Sequence, residues 1–232
     1  MSLLEIRKLS AFYDDFQALF DIDLKAEEGK TVAIIGSNGA GKSTFLQSIS
    51  GIVPVKKDSV LFEGKPIGGM NAWDLVKTGI AMVPEGRRLF PSLTVEENLQ
   101  MGAYRAAKGD WTIQKVYELF PRLEERRTQM ACTMSGGEQQ MVAIGRALMS
   151  NPKLLMCDEL SLGLAPKIIG QIYTNLAKVK EHGTSMLIVE QDIRQAMSIA
   201  DHIYCFQTGR VTLEGKPSDL TQEQISRAYF GV

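Results

Sequence analysis

The chain has 232 residues, 44% of them hydrophobic and 23% charged, enough to bury one sizeable α/β core but too few for two full domains. Its formal net charge of -1 excludes an overall basic field of the kind that draws a protein to nucleic acid or anionic lipid. Cys132, Cys157 and Cys205 are odd in number, widely spaced and form no C-x-x-C, a pattern of reduced thiols in a cytosolic protein. The opening MSLLEIRKLSAFYDD carries charge too early for a secretory signal. No apolar run approaches the roughly 20 residues needed to span a bilayer, so a soluble or peripheral protein is expected.

In chain order, residues 3–30 show short alternating runs broken at Asp14-Asp15 and Glu28-Gly29, which predicts antiparallel strands. Tyr13 stands at the tip of one of them. An aromatic there could stack on a nucleotide base, and ordinary cross-strand packing is the simpler alternative. The apolar run Thr31-Val32-Ala33-Ile34-Ile35 then leads into Gly36-Ser37-Asn38-Gly39-Ala40-Gly41-Lys42-Ser43-Thr44 and a helical pattern carrying Phe45, Leu46 and Ile49. This strand, glycine loop and helix start form the G-x-x-x-x-G-K-S cradle for nucleotide phosphates. Successive N–H groups point at phosphate oxygens, and the helix start adds partial positive charge. Lys42 reaches the β- and γ-phosphates, and the Ser43 hydroxyl ligates Mg²⁺.

Gly51 to Pro54 ends that helix, Ser59 to Gly64 reads as a short strand and turn, and Trp73 to Lys77 fits one or two helical turns. Ile80 to Val83 is a buried-strand pattern stopped by Pro84, followed by the charged loop Glu85 to Pro91. A pair of arginines in that loop is, by default, a solvated face. Residues 94–130 read as helices, with Thr94 and Glu97 as cap partners and Val116, Leu119, Phe120 and Leu123 at helical spacing. Ser135 and Glu138 form a second S-x-x-E capping box before an apolar helix running to about Met149. Two glycines and a hydroxyl at a positive helix end make a second anion-binding pattern.

Leu154 to Cys157 is a central-strand run ending in Asp158 and Glu159. Following a phosphate loop, such acids serve to hold Mg²⁺ (Asp158) and to orient or deprotonate the attacking water (Glu159). Ser185 to Val189 is another buried strand ending in Glu190-Gln191-Asp192. A helical stretch to Asp201, a hairpin over Ile203 to Glu214 and a short C-terminal helix complete the chain.

GSNGAGKS, the loop from Glu85, MSGGEQQ, LLMCDE, SLGLAP and LIVEQD stand in the order and spacing of the ATP-binding subunits of ABC transporters, and the resemblance covers essentially the whole chain. MSGGEQQ is its specific part, because phosphate loops and acid-ended strands are shared by many ATPases. More narrowly, VPEGRRLFPSLTVEENL, LFPRLEERR and MSGGEQQMVAIGRALMSNPKLLMCDELSLGLAP look like the LivF-type subunits of branched-chain amino acid importers. The resemblance implies an α/β fold: a P-loop NTPase core with a mixed, largely parallel sheet, an N-terminal antiparallel β subdomain and an inserted α-helical subdomain. It implies one ABC ATPase domain over 1–232, with the catalytic core at about 1–86 and 151–232 and the helical signature subdomain at about 87–150.

Roles follow by position. Tyr13 matches the aromatic that stacks on adenine, which reverses the packing reading of that residue. Gly36 to Thr44 match the phosphate-binding residues, Glu85 stands where most of the class has a glutamine contacting Mg²⁺ and water, and Ser135, Gly136 and Gly137 match those that bind the γ-phosphate held by an opposing subunit. Asp158 matches the metal partner and Glu159 the catalytic base. Ser161 to Leu164 match a loop meeting the partner subunit, and Gln191 stands at a switch position where most of the class has histidine. Leu160 departs from the usual proline, Cys132 from a common glycine and Asp14 from the glycine after the stacking tyrosine.

The cofactors implied are ATP and Mg²⁺. The partners implied are a second ABC ATPase subunit, as a homodimer or a LivG-like heterodimer, integral membrane permease subunits and, indirectly, a solute-binding protein outside the membrane. The implied place is the cytoplasmic face of the cell membrane, as a peripheral protein without nucleic acid. Three readings stand side by side: a transport ATPase, whose solute is an amino acid, urea, an amide or another polar molecule; a nucleic-acid-linked ABC ATPase; and a regulatory ATPase without a permease.

Overall fold

The structure is a computed structural model that describes residues 2–104 and 109–230. In chain order it forms β1 (Ser2–Tyr13), β2 (Phe16–Glu27), β3 (Thr31–Ile35), α1 (Lys42–Ile49), β4 (Val60–Phe62), β5 (Lys65–Pro66), α2 (Ala72–Thr78) and β6 (Ile80–Val83). There follow α3 (Val95–Gly102), α4 (Ile113–Leu119), α5 (Pro121–Glu125), α6 (Gly136–Leu148), β7 (Leu154–Asp158) and α7 (Pro166–Glu181). The chain closes with β8 (Ser185–Glu190), α8 (Ile193–Ile199), β9 (His202–Gln207), β10 (Arg210–Gly215) and α9 (Gln222–Phe230). It divides into two compact units, residues 1–75 with 185–232, and residues 76–184.

In the first unit, β1 and β2 pair antiparallel as the sequence predicts, and β4 and β5 extend them into a sheet ordered β2-β1-β4-β5. Alternating burial along β2 from Asp21, exposed and buried in turn, reflects one face on the core and one in water. A second, mixed sheet places β3 between β8 and β9, parallel to both, with β10 antiparallel on β9. Every residue of β3 and β8 is buried, as strands covered on both faces require. On one side of this sheet Ala33, Ile35, Ile203 and Cys205 form a core with Ala196 of α8 and Ile225 of α9.

The second unit carries the parallel pair β6 and β7 and the helices α3 to α7. The expected run of helices over 94–130 is present as α3, α4 and α5, and residues 105–108 of that run lie outside the described residues. Both cap signals act as read: Thr94 starts α3 and Ser135 starts α6 with reciprocal capping boxes. Leu99, Val116, Leu123, Ile144 and Leu148 are buried, giving this unit its own apolar centre.

Candidate functional site

The site residues fall in two groups, one on each unit. The first is built on β3, whose end releases the glycine loop. Gly41 caps α1 at φ +99°, a left-handed angle that favours glycine, and a methyl group there would stand 2.8 Å from Leu19 Cδ2. No side-chain hydrogen bond from Gly41 caps α1 and no acid occupies its first turn, so the helix brings no neutralising charge of its own to its positive end. Lys42 is 3% exposed, and its Nζ donates to the carbonyls of Gly36 at 2.8 Å and Ser37 at 3.1 Å. A buried cation laid across a glycine loop at an uncapped helix start suits a polyphosphate.

Tyr13, the last residue of β1, is 45% exposed. Its hydroxyl donates to Gln47 Oε1 at 3.0 Å and Thr44 Oγ1 at 3.4 Å, which fixes the ring beside the helix of the phosphate loop. Gln191 comes to the same sheet end by register: Ile35 pairs with Glu190 on the parallel strand, so the phosphate loop and Gln191 leave neighbouring strands at one level. Asp192 then starts α8, its carboxylate accepting from the N–H of Arg194 at 2.8 Å and Gln195 at 3.4 Å.

The second group follows the same logic on β6 and β7. Val83 pairs with Cys157, so the exposed Glu85 and the acids Asp158 and Glu159 all lie just past one end of this parallel pair. Asp158 is 3% exposed and ends β7, while Glu159 turns the chain at φ +46°. One buried carboxylate suits Mg²⁺, which takes its other ligands from phosphate oxygens and water.

Ser135 Oγ donates to Glu138 Oε2 at 2.7 Å and accepts from the Glu138 N–H at 3.4 Å, and Glu138 accepts from the Ser135 N–H at 3.0 Å. Burial works against ionisation of Glu138, but the hydrogen bonds from Ser135 and Arg122 and the charge of Arg126 outweigh it and hold the carboxyl below its ordinary range. Gly136 and Gly137 are sites of close approach: a methyl group on the first would meet Arg87 Nη2 at 3.0 Å, and on the second Ile168 Cγ2 at 2.5 Å.

The loop after Glu85 departs from the solvated face expected of its arginines. Arg88 is exposed, whereas Arg87 is half-buried, its Nη1 donating to Gln139 Oε1 of α6 at 3.4 Å. Two further residues hold this loop, and the sequence reading did not single them out. Asn98 is fully buried, accepting from the Phe90 N–H and donating to the carbonyls of Phe90, Leu93 and Thr94. Arg146 donates to the Arg87 carbonyl at 3.1 Å and lies 5.3 Å over the Phe90 ring. Burial lowers its pKa. The only signal for Asn98 was a polar residue on the apolar side of α3.

Residues 19–161 match the sequence model of the ABC transporter family. The chain is 46% identical to the high-affinity branched-chain amino acid transport ATP-binding protein BraG of Pseudomonas aeruginosa, over 99% of this chain and 100% of that one. It is 35% identical to a probable branched-chain amino acid transport ATP-binding protein, LivF, of Archaeoglobus fulgidus, over 99% of each. Among solved structures, a nucleotide-free ATP-binding cassette from an ABC transporter superposes with a TM-score of 0.83 at 27% identity, over 98% of this chain and 95% of that one. A dimeric post-hydrolysis cassette bound to ADP and Pi superposes at 0.80 with 28% identity, over 92% and 98%.

Proposed function

The chain belongs to the ABC transporter family, and we propose that it is the ATP-hydrolysing subunit of an importer for branched-chain amino acids. The observation that carries the solute assignment is the 46% identity to BraG over nearly the full length of both chains. It rests on whole-chain likeness.

Phosphoryl transfer asks for positioning and charge neutralisation more than covalent chemistry. Lys42, the Gly36 to Thr44 backbone and the α1 start hold the phosphates of ATP, and Tyr13 offers its ring face to adenine. Ser43, Asp158 and Glu85 are the residues to hold Mg²⁺, which neutralises phosphate charge when bound. Glu159 takes the proton of the attacking water. Gln191 reports the γ-phosphate through its amide, a donor that exchanges no proton near neutral pH. Ser135, Gly136 and Gly137 present the α6 start to the γ-phosphate held by a second ATPase subunit, either another copy or a LivG-like relative. The loop from Glu85 to Phe90 links the active site to the helical subdomain, where an integral membrane permease docks, placing the subunit at the cytoplasmic face of the membrane.

The test is uptake of radiolabelled leucine in a host lacking the gene. Uptake should be lost, and restored by the natural chain but not by Glu159→Gln. Unchanged uptake of leucine, isoleucine and valine would refute the solute assignment, and a lost uptake of urea or an amide would replace it.

A further inference from the structure

The C-terminal helix α9 packs on the β9–β10 hairpin, and Tyr229, near its end, packs against the core formed by Ala33, Ile35, Ala196, Ile203, Cys205 and Ile225. Tyr229 and Phe230 meet edge to face at 5.0 Å between ring centroids. Between α8 and α9 runs a cleft of about 630 Å³ that reaches from Phe230 to Gln191. At its inner end the Tyr229 hydroxyl donates to the backbone carbonyl of Gln191 at 3.4 Å.

That carbonyl belongs to the residue just before the Asp192 cap that starts α8. Gln191 is thus bracketed. Its N-terminal neighbour Glu190 is locked in β8 by pairing with Ile35, its C-terminal neighbour Asp192 is locked in a cap, and its carbonyl is held from α9. A side chain that must meet a phosphate with small tolerance depends on the orientation of the peptide that carries it.

We propose that Tyr229 is a positioning residue for ATP hydrolysis, acting through Gln191 and making α9 part of the catalytic apparatus. The inference rests on the reading of Gln191 as the γ-phosphate sensor.

The test is a double-mutant cycle on the steady-state ATPase of the full chain, using Tyr229→Phe, Gln191→Ala and the pair. Tyr229→Phe keeps the ring and its packing and removes the hydroxyl alone. It should lower kcat by about three- to tenfold, the span of one neutral hydrogen bond, with KM for ATP unchanged. On the Gln191→Ala background the same change should have no further effect. Natural turnover in Tyr229→Phe beside an impaired Gln191→Ala would overturn the inference and leave the reading of Gln191 standing. Multiplying losses would also overturn it, because Tyr229 would then act independently of Gln191. Natural turnover in Gln191→Ala would instead remove the reading on which the inference rests.

Discussion

Glu159 carries a side chain yet holds φ +46°, a left-handed angle costing on the order of 1 kcal/mol in a non-glycine residue. The turn is retained by the fully buried Leu160 on one side and by the Leu162 N–H bonding to the Glu159 carbonyl at 3.3 Å. A proline at 160 would push residue 159 toward extended backbone, a restriction that leucine does not impose. Asp14 is a parallel case, holding φ +50° in the β1–β2 turn, an angle its short polar side chain tolerates better than most. Replacing Glu159 by Gln preserves shape and removes the carboxylate proposed as the base. It should leave ATP affinity intact and slow hydrolysis by about 10²- to 10⁴-fold, and near-normal single-turnover rates would refute the assignment. Tyr13→Ala should weaken ATP binding by roughly 1–3 kcal/mol, the range for base–aromatic stacking. Tyr13→Phe loses only the exposed hydroxyl contacts to Gln47 and Thr44 and should bind nearly as the natural chain does, and calorimetry on the three proteins decides the point.

At the scale of the element, α6 has a start that carries a capping box and the surface of Ser135, Gly136 and Gly137 that we propose faces a γ-phosphate. Ser135→Arg fills that surface with a cation and should abolish ATP-driven dimerisation while sparing ATP binding by the single chain. Ser135→Ala is the control, since it removes the cap at a cost of about 1 kcal/mol without blocking the surface. Size-exclusion chromatography of each change on the Glu159→Gln background reads the outcome, and a persistent dimer in Ser135→Arg would contradict the role. The lowered pKa of Glu138 adds a pH dependence with a definite sign. Its ionised form favours the folded state above the ordinary carboxylate range, and that contribution is lost as pH falls through the lowered folded value. Acid unfolding followed by circular dichroism should therefore be shallower in Glu138→Gln.

Over the whole molecule, a formal charge of -1 leaves nucleotide binding to local fields, chiefly Lys42 and the α1 start. Ligand that binds only the folded chain stabilises it by mass action, about 2.7 kcal/mol at a hundredfold excess over Kd. ATP with Mg²⁺ should raise the Tm of the natural chain and not that of Lys42→Ala, and an equal rise in both would remove Lys42 from the phosphate site. Chelating Mg²⁺ should stop turnover by the natural chain. Among the described residues no helix is long and apolar enough to cross a membrane.

Local, contiguous chemistry was determined by sequence alone: the glycine loop after an apolar strand, the two reciprocal capping boxes and the acids closing β7. Each depends on residues close to one another in the chain, so spacing suffices to read it. The tertiary structure decided what distant residues bring together. The parallel order β9-β3-β8 joins strands separated by more than a hundred residues, and only its register sets Gln191 level with the phosphate loop. Arg87 reads as a surface charge until α6 is packed beside it, and Asn98 as a plain polar residue until the loop it holds is folded over it. Tyr229 looks like an ordinary aromatic near the end of a short amphipathic helix. Its hydroxyl gains a role only when the docking of α9 brings it to a carbonyl 38 positions away, a contact of the packed core that leaves no periodic trace in the chain.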